Sequence, residues 1–280
     1  MGADFDVKLY TSFIGPTQIE ALIAETKKFY KEHYNEENLG AHRAYLSDTT
    51  PHRTSHAYAI SNGYVEGFTG PLPTINMEGE TRFPTIKAVG DLINQTILGL
   101  PDDNRVLFNV QEYFGGSEPV PKHNDGELLE FTTEDGGLQI KRSIRPRWVA
   151  VLTLVNDTDS TPAGQSFPAS GPSGFGGTRV HFADGTSEVL RAEAGELLIF
   201  RNDQMLHSVD ALTGTVKRPD GILRMTIGWR SLGAECKYQD DKGMFDITQD
   251  EAETITEKWY REEWPKIWEG IRDKARKAAF

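Results

Sequence analysis

The stretch "GILRMTIGWR", residues 221–230, alternates apolar and polar side chains with the period of a strand. On that period Leu223, Met225, Ile227 and Trp229 share one face, and Arg224, Thr226, Gly228 and Arg230 share the other. A guanidinium inside so apolar a strand has to find an anion, because burying it unpaired costs several kcal/mol. Arg224, with Thr226 beside it, offers a carboxylate both a two-pronged donor and a hydroxyl.

Working outward, the same texture recurs in "RVLFNVQEYF" (105–114), "RWVAVLTLV" (147–155), "TRVHFADG" (178–185), "SEVLRAEAGELLIF" (187–200) and "HSVDAL" (207–212). Short strands bounded by turn residues, with no helical pattern between them, predict an antiparallel barrel or sandwich over residues 105–235. The polar stretch 156–177, rich in Gly, Pro and Ser, reads as a long loop or lid. Ahead of the β-rich part, two helices are expected. One spans 16–34, where Ile19, Leu22, Ile23, Thr26, Phe29, Tyr30 and His33 follow helical spacing, and the other spans 85–100. Residues 40–84 look irregular. The segment 236–280 is expected to be a C-terminal helical extension, restarted or kinked at Pro265. The whole is read as one structural domain, with 1–104 packing on the core.

Composition narrows the chemistry. A chain of 280 residues, 38% apolar, can bury a sizeable core. Its formal charge of −12 disfavours nucleic acid and anionic membrane surfaces as partners. The single cysteine, Cys236, excludes a disulfide framework and any Cys-rich metal site, so metal binding would fall to His and carboxylate. No apolar run is long enough for a membrane span, the N-terminus lacks a secretory pattern, and Asp6 breaks the myristoylation pattern after Gly2. A cytoplasmic protein is expected.

"VPKHNDGELLEF" (120–131) carries His123 and Asp125 two positions apart. At a strand end both would face the same way and share a cation, but the tripeptide alone reads more readily as a solvated turn formed by Asn124, Asp125 and Gly126. The run "GELLIF" (195–200), the polar "RNDQM" (201–205) and then Leu206-His207-Ser208-Val209 can return a second imidazole to the same mouth. Two histidines and one carboxylate with positions left open make the facial triad of non-haem iron(II) oxygenases.

In order, "VQEYFGG" (110–116), "KHND" (122–125), "RPRWVAVLTLVND" (145–157), "GFGGTRVHF" (174–182), "AEAGELLIF" (192–200), "LHSV" (206–209) and "RMTIGW" (224–229) resemble the core of the iron(II)/2-oxoglutarate-dependent dioxygenases, in their prolyl 4-hydroxylase-like branch. The resemblance implies a mainly β fold with flanking helices: a double-stranded β-helix core of jelly-roll or cupin-like type, with N-terminal helices and a C-terminal helix. It also implies that His123, Asp125 and His207 bind Fe(II), that Arg224 holds the distal carboxylate of the cosubstrate 2-oxoglutarate with Thr226 as helper, and that Tyr113 lines the same pocket. The implied activity uses O2 to hydroxylate a C–H bond, releasing succinate and CO2. The expected substrate is a small molecule, an amino acid or a biosynthetic intermediate. A peptidyl hydroxylase and a non-catalytic metal- or ligand-binding barrel are the alternatives.

Two departures from the family pattern stand out. Pro119-Val120-Pro121 replaces a tyrosine that often precedes the H-x-D pair, and the long interval from His207 to Arg224 leaves Arg218 as another anchor. Arg224 is preferred because Arg218 lies in "GTVKRPDG" (214–221), which reads as a solvated connection. His181 is a rival ligand that alternates like an ordinary strand residue. Candidates for the substrate side are His42, Arg43, His52, Arg53, His56 and Tyr58, with Glu127 and Glu130 for a cationic group. The C-terminal tryptophans suggest helix packing or a homodimer contact.

Overall fold

The computed structural model describes residues 5–33, 53–61, 64–67, 84–99, 106–114, 119–125, 127–134, 137–157, 177–210, 212, 218–263 and 266. Their order is β1 (Val7–Tyr10), α1 (Pro16–His33), β2 (Arg53–Ser61), β3 (Tyr64–Gly67), α2 (Pro84–Asp91), β4 (Val106–Phe114), β5 (Val120–His123), β6 (Glu127–Glu134), β7 (Gly137–Asn156), β8 (Thr178–His181), β9 (Ser187–Leu190), β10 (Leu197–Arg201), β11 (Leu206–Val209), β12 (Ile222–Asp240), β13 (Gly243–Ile247) and α3 (Gln249–Glu262). The strands form two antiparallel sheets. The larger runs β1-β10-β7-β12-β4-β2-β3, with β6 on β7 and β13 on β12, and the smaller runs β5-β11-β8-β9. The protein is mainly β, as expected.

The two faces of the large sheet bury different things. On one, Val110, Trp148, Ala150, Leu152, Leu197, Ile199, Met225, Ile227 and Trp229 meet Ile14 and Leu22, with Ile86, Val89 and Ile93 from the second helical region. On the other, Val149, Leu198 and Phe200 pack on Val180 and Met205 of the small-sheet side. This is the alternation read in "GILRMTIGWR", with one exception. The pairing of β12 with β4 shifts between Ile222 and Arg224, so Ile222 joins the helix-side cluster while Leu223 packs with Tyr113, Val120, Val209 and Leu212. A bulge inserts one residue without a partner, and the expected placement of Leu223 beside Met225 is corrected accordingly.

The helices are seated by polar bonds as well as by their apolar stripes. Pro84 opens α2, where its missing N–H is no loss, and the Glu25 carboxylate of α1 accepts from the N–H groups of Thr85 and Ile86 at 2.7 and 3.2 Å. Beyond α2 the chain widens into a π-helical segment, Leu92–Leu98, which ends at Gly99 with φ 63°. Gly195, at φ 86°, brings its carbonyl to the Ile14 N–H at 3.1 Å, and a Cβ there would lie 2.6 Å from the Ile14 carbonyl oxygen.

Several sequence expectations are corrected. Residues 53–61 and 64–67, read as irregular, pair as β2 and β3 at the edge of the large sheet, and β1 precedes the first helix. Residues 127–134 and 137–146, inside the predicted β-rich part but in none of its strand-like runs, are β6 and the first half of the 20-residue β7. The segment from Cys236 begins as strand, pairing with β13 through Ile247, and helix starts only at Gln249, after a Thr248–Glu251 capping box. Trp259 and Ala252 of α3 pack on Ile144 and Cys236. Pro265 and the stretch 158–176 lie outside the described residues. No helix among the described residues is long and apolar enough to cross a membrane.

Candidate metal centre

The site lies between the sheets. β5 ends on His123, and β11 places His207 opposite it in register, so two imidazoles face one another across neighbouring small-sheet strands with ring centroids 4.2 Å apart. Asp125 follows two residues later. Its carboxylate stands 3.6 Å from His207 Nε2 and 4.0 Å from His123 Nε2. One ligand atom from each of the three residues falls within 4.8 Å of the other two. Adjacent ligands about 2.1 Å from one octahedral ion would lie about 3 Å apart, so the two measured pairs need to close by about 1 Å or less to embrace a cation. His207 is buried and packs its ring on Phe200 at 4.9 Å, whereas the His123 side chain is 37% exposed. One side of the triad is therefore fixed in the core and the other opens outward.

Behind the triad, the large sheet contributes a polar patch. Tyr113 sits opposite Arg224, and Gln111 opposite Thr226, on the paired strands β4 and β12. All four line one cavity with His123, Asp125 and His207, about 480 Å³ counted out to its open mouth. The Tyr113 hydroxyl donates to Gln111 Oε1. Val120, Val151 and Val209 supply apolar wall, and Gly228 leaves room where its neighbours carry side chains.

Arg224 is the unusual member. It is 4% exposed, its Nη2 donates to Thr178 Oγ1 at 3.3 Å, and its guanidinium lies 5.5 Å from the Tyr113 ring centre. Nη1 is buried and has no hydrogen-bond partner among the described residues. Burial pushes its pKa below the ordinary arginine value, and the positive charge of Arg191 acts in the same direction. A cation so placed, facing three potential metal ligands, is a receptor for an anion.

The other sequence candidates lie elsewhere. Arg218 is paired with Asp220 at 3.1 and 3.0 Å and does not line the cavity. His181 accompanies Ser208 at 2.9 Å and is not in the triad. Arg53, His56 and Tyr58 fall on β2, Glu127 and Glu130 on β6, and His42, Arg43 and His52 lie outside the described residues. Gln111 escaped the sequence reading, although "VQEYF" places it two residues from Tyr113, on the same strand face.

Solved structures similar to this chain include prolyl 4-hydroxylases. One from Pseudomonas putida is 21% identical, with 80% of this chain and 92% of that chain covered at a TM-score of 0.42. A Trichoplax adhaerens prolyl hydroxylase, in complex with a hypoxia-inducible-factor peptide, is 12% identical over 85% and 84%, with a TM-score of 0.43. HygX from Streptomyces hygroscopicus, solved with nickel and 2-oxoglutarate, is 9% identical over 80% and 82%, with a TM-score of 0.40. No protein-family model matches the chain, and no curated protein matches it.

Proposed function

We propose that this chain is an iron(II)- and 2-oxoglutarate-dependent dioxygenase that hydroxylates an unactivated C–H bond of a small molecule, and that its two sheets are the halves of a double-stranded β-helix. The observation that carries the reading is the pairing of a His-Asp-His cluster with a buried arginine that has no carboxylate partner among the described residues, in one cavity. His123, Asp125 and His207 would hold the iron. Two neutral nitrogens and one carboxylate suit a divalent first-row metal and leave half of an octahedral shell for other ligands. Arg224 and Thr226 would hold the far carboxylate of 2-oxoglutarate, with the guanidinium exchanging an unfavourable burial for a charge-assisted pair. When bound, the iron with 2-oxoglutarate supplies oxidative decarboxylation of the cosubstrate coupled to oxidation of a C–H bond.

The protein's own task is placement. The small sheet sets the two histidines, the segment just past β5 sets Asp125, the large sheet sets the carboxylate anchor, and the distance between the sheets decides whether one cosubstrate can touch both. The valines around the cavity keep bulk water from competing for the guanidinium. The exposed edge of His123 marks the side from which substrate would approach. The test is anaerobic addition of Fe(II) and 2-oxoglutarate, which should develop a weak visible charge-transfer absorption. On admitting O2, succinate should form, faster with the right substrate. His123→Ala should abolish both signals. A wild-type chain that gives neither, with Fe(II) present, would refute the reading.

A further inference from the structure

Asp125 belongs to no strand, and the β5–β11 pairing ends at His123 opposite His207, so no ladder bond reaches it. Its main chain is instead held by one buried side chain. Asn202, fully buried in the turn between β10 and β11, accepts from the Asp125 N–H through Oδ1 at 2.8 Å and donates through Nδ2 to the Asp125 carbonyl at 2.7 Å. These are the two bonds that an antiparallel strand partner would have made, supplied by a side-chain amide. The bonding is reciprocal, since Asn124 Nδ2 donates to the carbonyls of Asn202 and Met205 at 2.8 and 2.9 Å.

The Asn202 turn is itself rigid. Its N–H donates to the Arg147 carbonyl of β7 at 2.9 Å, the Met205 N–H donates to the Arg201 carbonyl at 3.0 Å, and Arg201 grips the Asp203 carboxylate with two bonds of 2.8 Å. Two residues past Met205 comes His207. The clasp therefore joins the arm bearing His123 and Asp125 to the arm bearing His207, at the point where strand pairing stops. Arg145 adds an outer tie, donating from Nη1 to Asn124 Oδ1 at 3.4 Å.

We propose that Asn202 is a positioning residue which, with Asn124, sets the Asp125 carboxylate against His207 before any metal arrives. The inference rests on the metal-centre reading above and deepens it. Metal–ligand distances in a formed site hold to within about 0.2 Å, and an Asp125 released from the clasp would lose the two main-chain bonds that Asn202 supplies.

The test uses the full chain and Co(II) as probe, titrated by its visible d–d absorption without 2-oxoglutarate or O2. Asn202→Ala and Asn124→Ala should each weaken Co(II) binding by about 10–100-fold and change the band shape as the carboxylate leaves its position. The two changes should be non-additive, the double variant falling within about threefold of the weaker-binding single, because they open the same clasp. Leu22→Ala, in the helix-side core, provides a destabilised control that should keep the wild-type affinity and spectrum. If Asn202→Ala fails to fold, Asn124→Ala carries the test, because it opens the clasp at the Asn202 and Met205 carbonyls while keeping the buried Asn202 side chain in place. Wild-type affinity and spectrum in the asparagine variants would overturn the clasp, as would loss of affinity in Leu22→Ala in step with its melting temperature. Failure of the metal-centre reading is distinguishable: the wild-type chain would then take up no Co(II), or His207→Ala would bind it as well as wild type.

Discussion

Replacing Arg224 by methionine should move two quantities that usually move together in different directions. In the free protein the guanidinium is buried, bonded at 3.3 Å to one hydroxyl, and without a partner at Nη1 among the described residues. Exchanging such a group for an apolar side chain is expected to be neutral or stabilising by about 1–4 kcal/mol. The 280-residue chain has an unfolding entropy of about 0.6 kcal/mol per degree. The melting temperature of Arg224→Met without ligand should therefore match wild type or exceed it by up to about 7 °C. With Mn(II) in place of iron and O2 excluded, 2-oxoglutarate at 100 times its Kd should stabilise wild type by about 2.7 kcal/mol, or about 4–5 °C. Losing a two-pronged charge-assisted contact costs about 3 kcal/mol, which weakens binding by about 100-fold or more. At the same concentration the ligand then sits near its Kd and stabilises the variant by only about 0.4 kcal/mol, a shift under about 1 °C. Differential scanning fluorimetry with and without 2-oxoglutarate reads both quantities. A variant that melts about 5 °C lower on its own and keeps the ligand shift would refute the reasoning, because that result belongs to an arginine already paired within the fold.

His207→Ala should weaken Co(II) binding by more than about 100-fold, beyond the range of an outer-shell change, while His181→Ala binds as wild type in isothermal titration. Gly195→Ala meets both a left-handed backbone and a 2.6 Å approach to the Ile14 carbonyl, so urea unfolding should show a loss of more than about 1 kcal/mol with the m-value unchanged. Asp220, bonded by Arg218 and Lys27, has its carboxyl held well below the usual carboxylate range, with the Arg218 hydrogen bond as the largest cause. A depressed acid contributes stability that is present above its unfolded pKa, about 3.9, and is lost as pH falls towards the folded value. The melting-temperature gap between wild type and Asp220→Asn should thus be constant near neutrality and narrow as pH drops below about 4. A gap independent of pH down to about 2 would mean that Asp220 contributes nothing through charge.

The parts of the fold that could be read in the sequence are those whose two buried faces carry unlike side chains. "GILRMTIGWR" and "RWVAVLTLV" press apolar side chains against helices and turn smaller or polar ones towards the cavity, so alternation survives in the composition. The β6–β7 pairing was hidden because charged residues interrupt the apolar ones in "ELLEFTTEDGGLQIKR" and Leu128 and Leu129 are adjacent, so the period-2 signal is lost over β6. The bulge at Leu223 was hidden for another reason. One inserted residue leaves the residue types unchanged and alters only which neighbours they meet.

The same distinction separates the triad from what holds it. His123, Asp125, His207 and Arg224 belong to residue types whose chemistry is legible one at a time, so their spacing could suggest a shared ion and a shared anion. Asn124 and Asn202 are types common to every turn, and between two turns an asparagine carries no sign of whether its amide faces water or another main chain. Only proximity separates the cases: Asp125 and Asn202 stand 77 positions apart in the chain, and a bond of 2.8 Å joins them. On the proposed reading, a triad whose two histidines lie where the β5–β11 pairing ends needs some such bridge, because its carboxylate lies beyond the ladder. In a related chain with the same H-x-D pair but an apolar residue at the position of Asn202, the carboxylate arm should therefore be tied by another donor and acceptor, or its metal affinity should be weaker.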